Sequence, residues 1–298
     1  MRILVTGGTG FVGSNIAKAL LERGDEVLIT GHDAEQRISG FSGKLLQPSF
    51  LGLDWDAIPP LDALVHEAAI NDTQSKDERE MMRANVDSTL ALFDHTYVGG
   101  CRRFVFASST AIYGDGPTPY REDQELHPLT PYAVSKLKME EAVSAFGAAH
   151  TDAVIVGLRY CNVYGPGESH KGSRASMVYQ IARQMQIGDP RLFKDGEQKR
   201  DYLYVKDAVA ANLAALDTKQ STIVNCGSGT ATSFNEVVKI LNRELGQSRV
   251  PRYFENPYKT TYQNHTECDM SAAKNKIGFV PAFSIEEGIK DALASGLL

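Results

Sequence analysis

The chain has 298 residues, 42% of them hydrophobic and 23% charged, enough apolar content for one large packed domain or two small ones. Its formal net charge of -6, with no basic stretch, excludes a nucleic-acid partner and an anionic membrane surface, so any bound anion must be met by local groups. The opening MRILVTGGTG offers too short an apolar run for a membrane span or a signal core, and Cys101, Cys161, Cys226 and Cys268 lie far apart without metal or disulfide spacing, so a soluble protein of the reducing cytoplasm with no metal is expected.

In chain order, short apolar runs at 3–6, 27–30, 63–66, 104–107 and 154–158 read as buried strands of a parallel sheet. Between them Phe11, Val12, Ile16, Ala19 and Leu20, and later Met82, Val86, Leu90 and Phe93, recur at helical spacing, as crossover helices do. After residue 160 the texture changes. Loops with GPG at 165, GDP at 188 and DG at 195 interrupt helical stretches at 174–187 and 207–216. The expectation is a first domain over 1–165 and a smaller C-terminal α/β domain over 166–298, mainly substrate-binding, with about 203–226 returning to the first.

The segment GGTGFVG at 7–13 lies between the first strand and the first helix. There Gly7 permits the tight bend, Gly10 lets a pyrophosphate approach the backbone, and Gly13 lets helix and strand pack closely, which predicts a Rossmann-type doubly wound sheet binding a dinucleotide. In VLITGHD the end of the second strand, where a carboxylate would hold the ribose of NAD, carries Gly31. With His32 and Arg37 nearby, NADP is favoured; Asp33 restores NAD if the strand ends later. Asp54, after the next strand, is a candidate for the adenine amine.

Tyr132 and Lys136, in PYAVSK, lie one turn apart on a predicted helix, and Ser109 closes a predicted strand in ASSTAIYG. A phenol titrates near 10, so a tyrosine base near neutrality needs a depression of roughly 3 units, about 4 kcal/mol, which Lys136 and a nicotinamide cation can supply. Ser109 would fix the substrate oxygen.

The glycine turn, the serine before YG and the YxxxK pair together resemble the extended short-chain dehydrogenase/reductases along the whole chain, in which Ser109, Tyr132 and Lys136 match the catalytic triad. Dehydratases of that superfamily carry an Asp-Glu pair where this chain has Ala111 and Ile112. The segment RYCNVYGPGESHKGSRAS at 159–176 is similar to that of the ADP-L-glycero-D-manno-heptose 6-epimerases, where the residue matching Lys171 is a second acid/base. Inversion moves the substrate oxygen from one place to another, so a group opposite Tyr132 answers a chemical need; the other reading has His170 and Lys171 gripping the substrate diphosphate. The chain departs from that family at Ile70, Asn71 and Gly167.

The resemblance implies transient oxidation of a nucleotide sugar to a ketone on tightly bound NADP, with NAD possible. It further implies cofactor contacts from Phe11, Val12, Glu67, Ala68, Ala69, Asn85, Tyr132, Lys136 and Lys171. Substrate contacts implied are Asn71, Ser109, Asn162, His170, Ser173, Phe193, Arg200 and Tyr262. A homo-oligomer is expected. A 4-epimerase or reductase of another nucleotide sugar, and a non-catalytic NADP-sensing protein, stay open as alternatives.

Overall fold

The computed structural model describes residues 1–32, 38, 40–47, 54–71, 77–258 and 262–297. Among these, seven parallel strands form the main sheet: β1 (Arg2–Thr6), β2 (Glu26–Thr30), β3 (Lys44–Gln47), β4 (Ala63–His66), β5 (Arg103–Ser109), β6 (Val154–Tyr160) and β10 (Thr222–Cys226). Their order is β10-β6-β5-β4-β1-β2-β3. β1 pairs β2 on one side and β4 on the other, so the strand order reverses there and opens a crevice at the carboxyl ends, the place where ligands bind in such sheets.

Alternation along β1 divides the two cores. Ile3 and Val5 face Ile16 and Leu20 of α1 (Phe11–Glu22) and the alanines of α6 (Val205–Asp217). Leu4 faces the other layer, where Leu92 and Phe93 of α3 (Ser88–Val98) meet Met139, Val143 and Phe146 of α4 (Pro131–Ala149). Phe93 stacks on Phe104 at 4.8 Å between centroids and meets Phe146 edge-on at 5.6 Å. Both sheet faces are thus covered, and the strands read as continuous apolar runs.

A third core joins α5 (Met177–Ile187), α7 (Phe234–Leu245) and α9 (Ile285–Ala294) to the tyrosines of β7 (Asn162–Tyr164) and β9 (Lys199–Tyr204). β9 lies between β7, parallel to it, and β11 (Ala231–Ser233), antiparallel. β8 (Arg191–Phe193) pairs in parallel with β12 (Arg252–Phe254). Between these elements α6 and β10 return the chain to the main sheet, β10 pairing with β6.

Two helices differ from the expected bounds for local reasons. The helix expected from 174 starts at Met177, because Ser176 caps it by accepting from Tyr179 N at 3.2 Å, while Ser169–Arg174 forms a 3-10 turn. The spacing read across 82–93 is interrupted by a π-helical turn, Arg83–Asp87, between α2 (Glu78–Met82) and α3, and Asn85 in that turn is fully buried. No helix among the described residues is long and apolar enough to cross a membrane.

Candidate active site

The chain leaves β1 through Gly7 at φ 65, and Gly10 N donates to Gly7 O at 2.8 Å. A Cβ on Gly13 would fall 2.3 Å from Gly7 O, so the turn and the first turn of α1 touch backbone to backbone. Gly10 caps α1 without any side-chain acceptor, leaving the first N–H groups of a twelve-residue helix beside a cleft of about 490 Å3 lined by Gly7, Gly10, Phe11, Val12 and Gly13. This cradle fits a dinucleotide pyrophosphate in shape and sign.

β2 ends at Thr30, and a Cβ at Gly31 would land 2.0 Å from Thr9 Oγ1. A carboxylate at that position is therefore sterically excluded. His32 is exposed and lines the same cleft. Arg37 and Asp33 lie outside the described residues.

Ser109, Tyr132, Lys136 and Lys171 all line the cleft. Thr130 caps α4 by accepting from Ala133 N at 3.2 Å, with Pro131 at the first helical position, which fixes Tyr132 in the first turn and Lys136 one turn on. Lys136 is 2% exposed and donates from Nζ to Ala107 O at 2.7 Å; burial pushes its pKa down to about 8, opposed by the charges of Glu67 and Glu140.

Burial raises the Tyr132 phenol above its ordinary value, the nearby Ser109 hydroxyl lowers it, and the charge of Glu67 raises it.

Glu67, Ala68 and Ala69 line the cleft where β4 ends. Burial pushes the Glu67 carboxyl up to about 7, against a hydrogen bond from Tyr160 at 3.0 Å and the charge of Lys136. Between its unfolded value near 4.5 and about 7 the folded chain holds a proton that the unfolded chain has lost, so this contribution is complete at low pH and disappears as pH rises through 7. The stability difference between wild type and Glu67→Gln, followed by denaturant unfolding, is expected to fall by on the order of 2 kcal/mol from pH 5 to pH 8, allowing for partial exposure. A difference constant across that range would contradict the assignment.

The loop after β7 brings His170, Lys171 and Arg174 to the cleft. Lys171 Nζ lies 3.1 Å from Glu168 Oε2 and 4.8 Å from the centre of the Phe11 ring, against the N-terminus of α1. Arg174 donates to Asn71 Oδ1 at 3.2 Å, joining this loop to the segment after β4. Asn71 also lines the cleft.

Other expected site residues are placed elsewhere. Asn85 is clamped on both sides of its amide: Oδ1 accepts from Ile70 N at 2.8 Å, and Nδ2 donates to Ile70 O and Ser135 Oγ, each at 2.9 Å. It therefore positions the loop after β4 instead of lining the cleft. Asp54 is exposed and caps a short 3-10 turn by accepting from Asp56 N at 3.2 Å. Asn162 donates to Asp201 O and Thr266 Oγ1, and Ser173 is exposed with its carbonyl taken by Gln180; neither lines the cleft. Phe193, Arg200 and Tyr262 gather apart from it: the two rings meet at 5.4 Å, and the Arg200 guanidinium lies 4.7 Å over Tyr262.

Sequence reasoning missed Thr9, Ala84, Ser108, Cys161 and Val163, which also line the cleft. It also kept the cysteines apart, yet Cys161 Sγ and Cys268 Sγ lie 2.7 Å from each other next to Asp201. The Asp201 carboxylate there already accepts from Ser228 N and Oγ, Gly229 N and Cys268 N, so it serves as a knot between chain segments.

Residues 3–227 match the model of the NAD dependent epimerase/dehydratase family. The ADP-L-glycero-D-manno-heptose-6-epimerase of Alkalilimnicola ehrlichii is 33% identical, over 98% of this chain and 96% of that one. The crystal structure of the Helicobacter pylori ADP-L-glycero-D-manno-heptose-6-epimerase superposes with a TM-score of 0.90 at 33% identity, covering 99% of this chain and 95% of that one. A UDP-glucose 4-epimerase from Thermotoga maritima, with UDP-glucose, gives a TM-score of 0.89 at 28% identity, over 99% and 98%.

Proposed function

The chain belongs to the NAD dependent epimerase/dehydratase family, and from that premise we propose that it is a nucleotide-sugar epimerase, inverting C6 of an ADP-linked glycero-manno-heptose with NADP as resident cofactor. The observation that carries this reading is the meeting in one cleft of two proton-handling groups from different walls, the Tyr132 phenol on α4 and the Lys171 amine against α1. The relatives named ADP-L-glycero-D-manno-heptose-6-epimerase supply the substrate.

Held by the Gly7–Gly13 turn and Lys136, a nicotinamide would supply reversible hydride acceptance at the carbinol carbon, and its positive charge would join that of Lys136 in lowering the Tyr132 phenol. The protein's residues do the rest. Tyr132 takes or gives the hydroxyl proton on one side and Lys171 on the other, because the oxygen of the inverted carbon ends in a different place. Ser109, on the same cleft wall as Tyr132, holds that oxygen by its hydroxyl. Lys136, fixed on Ala107 O, serves the cofactor ribose.

In the same reading the Gly7–Gly13 turn holds the pyrophosphate, and a 2′-phosphate lies toward His32, with Gly31 offering no carboxylate to repel it. Arg174 and Asn71 bridge the mouth over the sugar, and Arg200, Tyr262 and Phe193 take the nucleotide. Residues 166–298 thus form most of the substrate domain of a cytoplasmic homo-oligomer.

Net redox change is nil, which sets the test. Incubated in deuterium oxide with one C6 epimer of ADP-glycero-manno-heptose, the enzyme gives both epimers by NMR, with protium kept at C6 and no NADPH consumed. Deuterium at C6, or next to the ketone carbon, is the result that rejects hydride return in favour of deprotonation chemistry.

A further inference from the structure

Glu168 is fully buried, although Gly167 before it and Ser169 and His170 after it are exposed. A carboxylate carried inside from a surface loop is costly unless donors and a counter-charge meet it. Here they do. Oε1 accepts from Gly165 N at 3.1 Å and Ser176 Oγ at 2.7 Å. Oε2 accepts from Ser176 N at 2.7 Å and Lys171 Nζ at 3.1 Å. The first three donors stand at the two ends of the loop, Gly165 at its entry and Ser176 at the cap of α5, so one carboxylate closes it. The fourth is the lysine amine.

We propose that Glu168 is the positioning residue of the lysine loop: its carboxylate ties Gly165 to Ser176 and from that fixed point holds the Lys171 ammonium at the cleft wall, over the Phe11 ring. Without it, a lysine on a turn whose other residues are mostly exposed has a flexible four-carbon stem and open water to occupy. The pairing works in both directions, since Lys171 is a cation 3.1 Å from a carboxylate that has no exposure. The inference rests on Lys171 as the second proton-handling group. It assigns Glu168 no contact with substrate.

The test uses holoenzyme of four variants, Glu168→Gln, Glu168→Asp, Lys171→Met and the double Glu168→Gln/Lys171→Met. Glu168→Gln is expected to lose roughly 100-fold in kcat, the cost of an ångström-scale misplacement, with KM within about twofold and cofactor content unchanged. The double variant should be no slower than Lys171→Met alone, because Glu168 acts through that amine. Glu168→Asp, which keeps the charge but is one methylene shorter, should recover part of the loss. Reductive methylation of Lys171, read by peptide mass, should quicken severalfold in Glu168→Gln while the other lysines keep their rates.

If Glu168→Gln does not accumulate folded, Glu168→Asp carries the same kinetic and labelling readouts, against Glu168→Asp/Lys171→Met as the double variant. Single losses that multiply in the double variant, or an unchanged labelling rate at Lys171, would overturn the assignment. Full turnover by Lys171→Met is a separate outcome. It removes the proton-carrier reading of Lys171, while the labelling result still decides whether Glu168 holds the amine.

Discussion

Tyr132→Phe is expected to lower kcat for epimerisation by about a thousandfold, within the range found when a positioned acid/base group is removed. The substitution deletes one oxygen. The ring stays in the first turn of α4, under the cap of Thr130 and Pro131, so the helix and Lys136 keep their places. What disappears is the phenol oxygen, while the Ser109 hydroxyl keeps its bond from Ala111 N at 3.1 Å. The expected pattern is a fallen kcat, KM changed by little, and full cofactor content after extraction and weighing by mass. Lys171→Met should give a loss of similar size by removing the group on the other wall. Two proton sites explain the pair of results, whereas one site serving both faces predicts that only the tyrosine matters. A Tyr132→Phe enzyme within tenfold of wild type would put the proton transfer elsewhere.

The strands were legible because a buried parallel sheet writes itself as unbroken apolar runs between glycines, and all five runs fall within the observed β1, β2, β4, β5 and β6. The glycine turn was legible for a related reason. Its constraint is local, set by backbone contacts within seven residues, so spacing alone states it. The three-residue strands β7, β8, β11 and β12 carry too little sequence for any period, and they escaped notice. The π-helical turn itself escaped in the same way, because a spacing of three and four cannot register an inserted residue.

For the site, sequence gave side chains whose spacing is covalent, such as Tyr132 with Lys136, and missed partnerships made by folding. Nothing about a lone Glu168 in a Gly-rich, Ser-rich loop announces a buried carboxylate. Cys161 and Cys268 meet across 107 positions, a distance no local pattern spans. Helical spacing likewise places Lys136 on the right face but does not show that its amine continues to the carbonyl of Ala107.

Glu140→Ala should be the most destabilising single change near the cleft, by about 4 kcal/mol, because it strands a buried guanidinium. Arg159 binds the Glu140 carboxylate at both ends, at 3.0 Å from Nε and 2.7 Å from Nη2, with side chains 7% and 5% exposed. Ser108 Oγ donates to the same carboxylate, and Arg159 Nη1 donates to Tyr113 OH at 2.7 Å, which in turn donates to Asn225 Oδ1 at 2.7 Å. The network ties α4 to β5, β6 and β10, the strands that carry Ser109 and the floor of the cleft. Against a total stability of roughly 5–15 kcal/mol, a loss of this size is large, and calorimetry should show Tm lower by roughly 10 °C. Glu140→Leu combined with Arg159→Met should cost less than Glu140→Ala alone, since no charge then remains buried. Glu140 also holds the Lys136 pKa up, so the same Glu140→Ala enzyme should lose its Lys136 charge below about pH 8. An alkaline limb of activity moved to lower pH, with cofactor content retained, would show that this ion pair supports the amine as well as the fold, whereas an unmoved limb with lowered Tm would confine Glu140 to packing.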